Sequence, residues 1–252
     1  MPSKNIRKLG LARALSKQGY CSRSKAVELI HAGRVRVNES VRRDPETPVR
    51  VDKDRIAVDE RPLEVAKKIY LMMNKPRGLV TTASDEKGRE TIYAVLAKSG
   101  EPLPWVAPVG RLDKASEGLL LLTNDSEWGA HIAAPETHVE KIYHVQIGRV
   151  VDASFVQALM RGVAGENGEL LLAARAHLLR SGEKNCWLEI VLDEGRNRQI
   201  RRMLAALQVE VLRLVRVAIG PVSLGKLAKG TFRALTEDEK RGLDRVMRAR
   251  IS

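Results

Sequence analysis

Four consecutive leucines, Leu119–Leu122, sit inside the stretch GRLDKASEGLLLLTND at residues 110–125. A run of this kind has no polar face, so it reads as a strand covered on both sides or as a buried turn of helix. Arg111 and Asp113 stand just before it, and Thr123-Asn124-Asp125 ends it. The charged pair therefore lies at the edge of something apolar. A carboxylate at such an edge must be solvated, paired or used in chemistry.

The pattern around this run is mixed. KIYLMMNK (68–75), KIYHVQIG (141–148), CWLEIVLDEG (186–195) and VEVLRLVRVAIG (209–220) read as strands. DASFVQALMRG (152–162) reads as a helix capped by Asp152 and stopped by Gly162. RNRQIRRMLAALQ (196–208) is a second helix, and TEDEKRGLDRVMRAR (236–250) a third, opened by Thr236 as N-cap with early acids. Strands and helices do not alternate strictly, which predicts a mixed, largely antiparallel α+β domain over residues 69–252.

The first 62 residues differ. They hold 15 Lys+Arg and 8 Asp+Glu, whereas residues 63–252 hold 29 and 23. LARALSKQG is a short helix stopped by Gly19. SRSKAVELIHAG is another, with Ser22 as N-cap, Ala26, Val27 and Ile30 inside, and Gly33 as its end. RVRVNES and DRIAVDE alternate like strands. The expectation is a small basic reader at 1–62, with Arg23, Lys25, Arg34 and Arg36 near its turns, and a polar linker at 63–68.

Bulk properties narrow the function. With 44% hydrophobic residues in 252, the chain can bury a core, and its formal charge of +13 calls for a polyanionic partner, most commonly nucleic acid. Cys21 and Cys186 make neither a disulfide framework nor a CxxC site, which fits a reducing compartment. The five histidines lack metal-ligand spacing, so no metal is expected. The N-terminus has no apolar core of a signal peptide, and no apolar run is long enough to span a membrane. A cytoplasmic monomer is the expectation.

Three segments can carry chemistry: the opening stretch with Arg111 and Asp113, EKIYHVQ with Tyr143 on a strand, and EGRNRQIRRM with Arg196, Arg198, Arg201 and Arg202. On a helical wheel Ile200, Met203, Leu204 and Leu207 form one face. Arg198 and Arg202 point away from it, where with Arg196 they are expected to meet RNA phosphates, and Arg201 lies at its boundary, able to reach a cleft. Read singly, Asp113 is equally a cap or a partner of Arg111, Tyr143 is ordinary packing, and the arginines are a solvated face. Asp113 and Glu117 form a conceivable glycosidase pair, but a spacing of four does not establish that geometry.

Taken together, GRLDKASEGLLLLTND, NKPRG, EKIYHV and EGRNRQIRRM resemble the ribosomal RNA pseudouridine synthases, in the branch that includes the RsuA and RluB enzymes. Residues 7–62 resemble the alpha-L RNA-binding motif. Two departures stand out: Glu39 follows VRVN where that motif usually turns on Gly, and Arg198 stands where related families often place His. The resemblance implies that uridine's base is detached, turned and rejoined through carbon, with no cofactor. It implies Asp113 as the essential carboxylate, Arg201 as its basic partner, and Tyr143 stacked on the uracil and placed for proton transfer. It further implies a flipped-out target base, with Arg111 helping to hold the gap, and ribosomal RNA or an assembly intermediate as partner. Competing readings are a non-catalytic ribosome-assembly factor, which predicts decay of the catalytic set, and a small-molecule glycosidase, which the basic N-terminal module opposes.

Overall fold

The computed structural model describes residues 8–64, 66–83, 85, 87–100 and 102–248. The start of the expected N-terminal module and the end of the expected terminal helix thus lie outside the described residues. Backbone contacts divide the chain into two units. Unit 1 takes residues up to 69 with the segments 101–107 and 123–126, and unit 2 takes the rest.

In unit 1, α1 (Leu11–Lys17) and α2 (Arg23–His31) pack on a four-stranded antiparallel sheet. Its strands are β1 (Val35–Val37), β2 (Ser40–Arg42), β3 (Ile56–Val58) and β4 (Arg61–Pro62), in the order β2-β1-β3-β4. Ser22 caps α2 by accepting from the Lys25 amide at 3.1 Å. Leu29 joins Ala26 and Ile30 in the core, while Val27, expected inside, is only partly covered. Both hairpins turn on two residues with positive φ, Asn38-Glu39 (48° and 69°) and Asp59-Glu60 (48° and 65°). Two successive left-handed residues match the right-handed twist of the flanking strands, so Glu39 takes the conformation that Gly adopts at lower cost. The expected linker is bonded within this unit: Leu63 packs on its core, and Ala66 N–H donates to the Gln18 carbonyl at 3.4 Å.

Unit 2 is built on a nine-stranded sheet. Its main strands are β5 (Tyr70–Lys75), β6 (Glu117–Thr123), β7 (Lys141–Ile147), β8 (Arg175–Ser181), β9 (Cys186–Leu192), β10 (Val211–Ile219) and β11 (Phe232–Ala234). They run in the order β8-β9-β7-β10-β6-β5-β11. Pairs β8–β9, β9–β7, β7–β10 and β5–β11 are antiparallel, whereas β10–β6 is parallel. The leucine run is therefore strand, and all seven residues of β6 are buried.

The helices of unit 2 are α3 (Tyr93–Ala97), α4 (Ser126–Ala133, whose first residue falls in unit 1), α5 (Ala153–Arg161), α6 (Gln199–Ala206) and α7 (Glu237–Arg248). Leu119 and Leu121 meet Met72, Ile132 and Leu243, joining β5, α4 and α7 in one core. A second core joins Val145, Leu188 and Ile190 of the sheet to Leu159 of α5 and to Met203 and Leu204 of α6. Asp152 caps α5 by accepting from the Phe155 amide at 3.0 Å. Thr236 and Glu239 form a reciprocal capping box at the start of α7.

The parallel seam between β6 and β10 depends on one glycine. Gly118, at φ +104°, faces Arg216 in register, and a Cβ there would lie 2.3 Å from the Arg216 carbonyl oxygen. Substitution Gly118→Ala is expected to lower stability by at least ~3 kcal/mol, through the clash and the strained φ together. Urea unfolding of the two proteins side by side measures this; an unchanged midpoint would show that the seam yields freely.

Candidate active site

A cleft of about 290 Å³ opens in unit 2, lined by Arg111, Asp113, Tyr143, Arg198 and Arg201 among others. Asp113 sits in the loop that leads into β6. That loop is fixed from several directions. The Ser116 amide donates to the Asp113 carbonyl at 3.0 Å, and the Gly78 amide to that of Lys114 at 2.8 Å. The Thr81 hydroxyl donates to the Leu112 carbonyl at 2.7 Å. Lys75, at the end of β5, is 0% exposed, and its ammonium donates to the carbonyls of Pro76, Asp113 and Ser116 at 3.2, 3.1 and 2.8 Å. Burial pulls its pKa down to about 8, against the opposing pull of Asp113 and Glu117.

The arginines divide differently from the helical wheel. Arg198 is not on the helix at all: it is the N-cap of α6, at φ 48° and ψ 31°. A wheel does not apply to a left-handed residue, and its guanidinium turns back to Asp113, Nη1 to Oδ2 at 3.4 Å. Arg201, expected as the direct partner, instead donates to the Ala115 carbonyl at 3.2 Å and the Ser116 hydroxyl at 3.4 Å. It thus holds the loop on which Asp113 stands. Burial and the nearby Arg198 and Arg77 lower its pKa, opposed by Asp113. Arg196 pairs with Glu194 at 2.9 Å, and Arg202 with Glu169, so both outer arginines are engaged within the chain. Arg111 is exposed at the cleft wall.

Tyr143 faces the cleft from β7 and packs on the second core. Glu117 does not join Asp113 in a carboxylate pair. At 3% exposure it accepts from Arg213 Nε at 2.9 Å and from Lys229. Those two bonds outweigh the effect of burial and hold its pKa below the usual range.

In unit 1, Lys25 pairs with Glu28 at 2.8 Å, Arg34 with Asp59, and Arg36 with Glu60 at 4.0 Å. Arg23 is exposed. Sequence reasoning passed over three buried cations of the cleft region: Lys75, Lys141 and Arg216. The available signal was a charged residue closing or breaking an apolar strand, as in YLMMNK and VLRLVRVAIG. Among the described residues no cluster of three or more His, Cys, Asp and Glu could hold a metal ion, and no helix is long and apolar enough to cross a membrane.

Known proteins match along most of the chain. The family described as RNA pseudouridylate synthase matches residues 69–206, and the S4 domain matches residues 9–56. An uncharacterized RNA pseudouridine synthase of Aquifex aeolicus (strain VF5) is 38% identical over 226 residues, 89% of each chain. The ribosomal large subunit pseudouridine synthase B of Bacillus subtilis (strain 168) is 34% identical, covering 92% of this chain and 94% of its own. A solved pseudouridylate synthase superposes with a TM-score of 0.63 at 30% identity, over 93% of this chain and 99% of its own.

Lys75→Met removes the donor shared by three carbonyls; that of Asp113 keeps the Ser116 amide, whereas those of Pro76 and Ser116 lose a donor that is costly to do without. The variant is expected to lose about 3 kcal/mol of stability, read by urea unfolding. Wild-type stability would show that the loop does not depend on this ammonium.

Proposed function

Because the chain belongs to the RNA pseudouridylate synthase family and carries an S4 RNA-binding domain, we propose that it isomerises a specific uridine of ribosomal RNA in the cytoplasm, with Asp113 as the essential carboxylate. The observation that carries this reading is the single cleft in which Asp113, Tyr143, Arg198 and Arg201 meet. The named Bacillus subtilis relative, a ribosomal large subunit enzyme matched along nearly its whole length, supports ribosomal RNA as the substrate.

In this reading the target uridine leaves its stack, at a cost of a few kcal/mol, and its base lies against Tyr143. Arg198 supplies the charge beside Asp113, Arg201 fixes the carboxylate's loop, and Arg111 lines the wall through which the nucleotide enters. Arg196 and Arg202, with Arg23, Lys25, Arg34 and Arg36 of the S4 unit, meet phosphates. Substrate and product are isomers, so the reaction needs no cofactor to supply or remove a group.

Mapping pseudouridine in ribosomal RNA from cells with and without this protein tests the reading; an identical map would overturn it. Asp113→Asn is expected to keep fold and RNA affinity and to form no product, by single-turnover assay on the mapped fragment. Tyr143→Phe keeps the ring and loses the hydroxyl. Its turnover is expected to fall by about 100-fold or more with little change in RNA affinity, and unchanged turnover would leave Tyr143 as a stacking platform only.

A further inference from the structure

Lys141 and Arg216 line the cleft at 8% and 5% exposure. Buried cations are normally paired or fully hydrogen-bonded. Lys75 and Glu117 beside this cleft obey that rule, with three carbonyls and two cations, and Arg201, although its Nε has no acceptor, still donates through Nη2 to Ala115 and Ser116. Lys141 and Arg216 do not. The Lys141 ammonium has no hydrogen bond or ion pair among the described residues. Arg216 donates Nε to the Leu119 carbonyl at 2.7 Å, yet its Nη2 is buried with no acceptor.

Their placement is specific. Lys141 and Tyr143 are two apart on β7, so they share its cleft face. Arg216 lies opposite Tyr143 in the β7–β10 register. A planar ring stacked on Tyr143 would therefore have its edge within reach of both cations. Resting on the pseudouridine synthase reading of this cleft, we propose that Lys141 and Arg216 form a fixed cationic floor that binds the carbonyl oxygens of the flipped uracil and takes up the negative charge of the detached base.

The chemistry calls for such a floor. When the C1′–N1 bond breaks, its electron pair stays on N1, and the base becomes an anion with charge spread over N1, O2 and O4. The positive charge left at C1′ faces the Asp113 carboxylate. The electron pair for the new bond comes from C5, which then loses its proton, while N1 gains one; the product is an isomer of the substrate. Donors already in place at atoms where charge develops favour the bond-breaking step more than they favour binding. A base edge also suits the site better than a phosphate. A planar group can slide along Tyr143 to cations this deeply covered, whereas phosphates remain at the exposed rim. Burial and the neighbouring Arg216, opposed by Asp193, hold the Lys141 pKa at about 8, so its charge is present at neutral pH and lost above.

The test compares single-turnover rates at saturating ribosomal RNA fragment across pH for wild type, Lys141→Met, Lys141→Arg and Arg216→Gln. Wild type is expected to lose rate as pH rises through about 8. Lys141→Met is expected to be slower by about 100-fold or more at neutral pH, to show a shallower alkaline fall than wild type because Lys75, with a pKa of about 8, still loses its charge, and to bind RNA normally. Lys141→Arg should recover part of the rate with the same shallower fall. Arg216→Gln also gives up the bond to Leu119, so its rate counts only alongside an unchanged unfolding midpoint; the conclusion does not depend on it, because Lys141→Met carries no such loss. A Lys141→Met protein with wild-type rate, or a slow one whose alkaline fall is as steep as that of wild type, would overturn the floor while wild type still forms pseudouridine. Failure of wild type to form pseudouridine in any ribosomal RNA would overturn the underlying reading and the floor with it.

Discussion

The Lys75 ammonium is wholly removed from water and is held by three carbonyl oxygens, two of which belong to the loop of Asp113. Removing a charge from water costs several kcal/mol unless other dipoles replace the hydration shell. Here the dipoles come from segments far apart in sequence, so the charge is solvated only when β5 and the loop before β6 are both in place. Folding of the sheet and placement of the carboxylate are thus one event. Arg201 ties the same loop to α6 from the other side, through Ala115 and Ser116. Asp113 therefore stands on a doubly anchored turn whose backbone is fixed before any substrate arrives, which is what a preorganised site needs.

Most of the architecture was legible because it follows from local rules. The leucine run has no polar face and became the fully buried β6. Ser22, Asp152 and Thr236 cap the helices they precede. The site was legible at Asp113 and Tyr143, which line one cleft. The arginines were not. A helical wheel presumes right-handed backbone, and Arg198 departs from it. That one positive φ redirects the guanidinium, and the direct contact with Asp113 falls to Arg198 in place of Arg201. The buried cations were hidden for another reason: whether a lysine in an apolar strand finds acceptors depends on chain crossings that no spacing records.

The charge of +13 also takes a different form in three dimensions. Lys25, Arg34, Arg36, Arg196 and Arg202, all expected to meet RNA, each face an acidic residue of the same chain. The exposed pairs among them, those of Lys25, Arg34 and Arg36, contribute little to stability, between zero and about 1 kcal/mol. A phosphate can therefore exchange for the carboxylate at small cost, and such pairs keep basic side chains ordered until RNA replaces their partners. The cations of the cleft floor are of another kind, since they are buried and pair with no carboxylate among the described residues.

An ammonium and a guanidinium can only donate hydrogen bonds, and the backbone of Arg216, which carries one of them, packs closely on Gly118. Uracil offers carbonyl oxygens at both exocyclic positions. Cytosine replaces one of them with an amino group, which would set donor against donor. Rejection of an analogue that leaves buried polar groups unpaired is far stronger than rejection by shape alone. A floor that only donates thus serves as a filter between the two pyrimidines, and the stiffness of the β6–β10 seam keeps that filter from adapting to the wrong one.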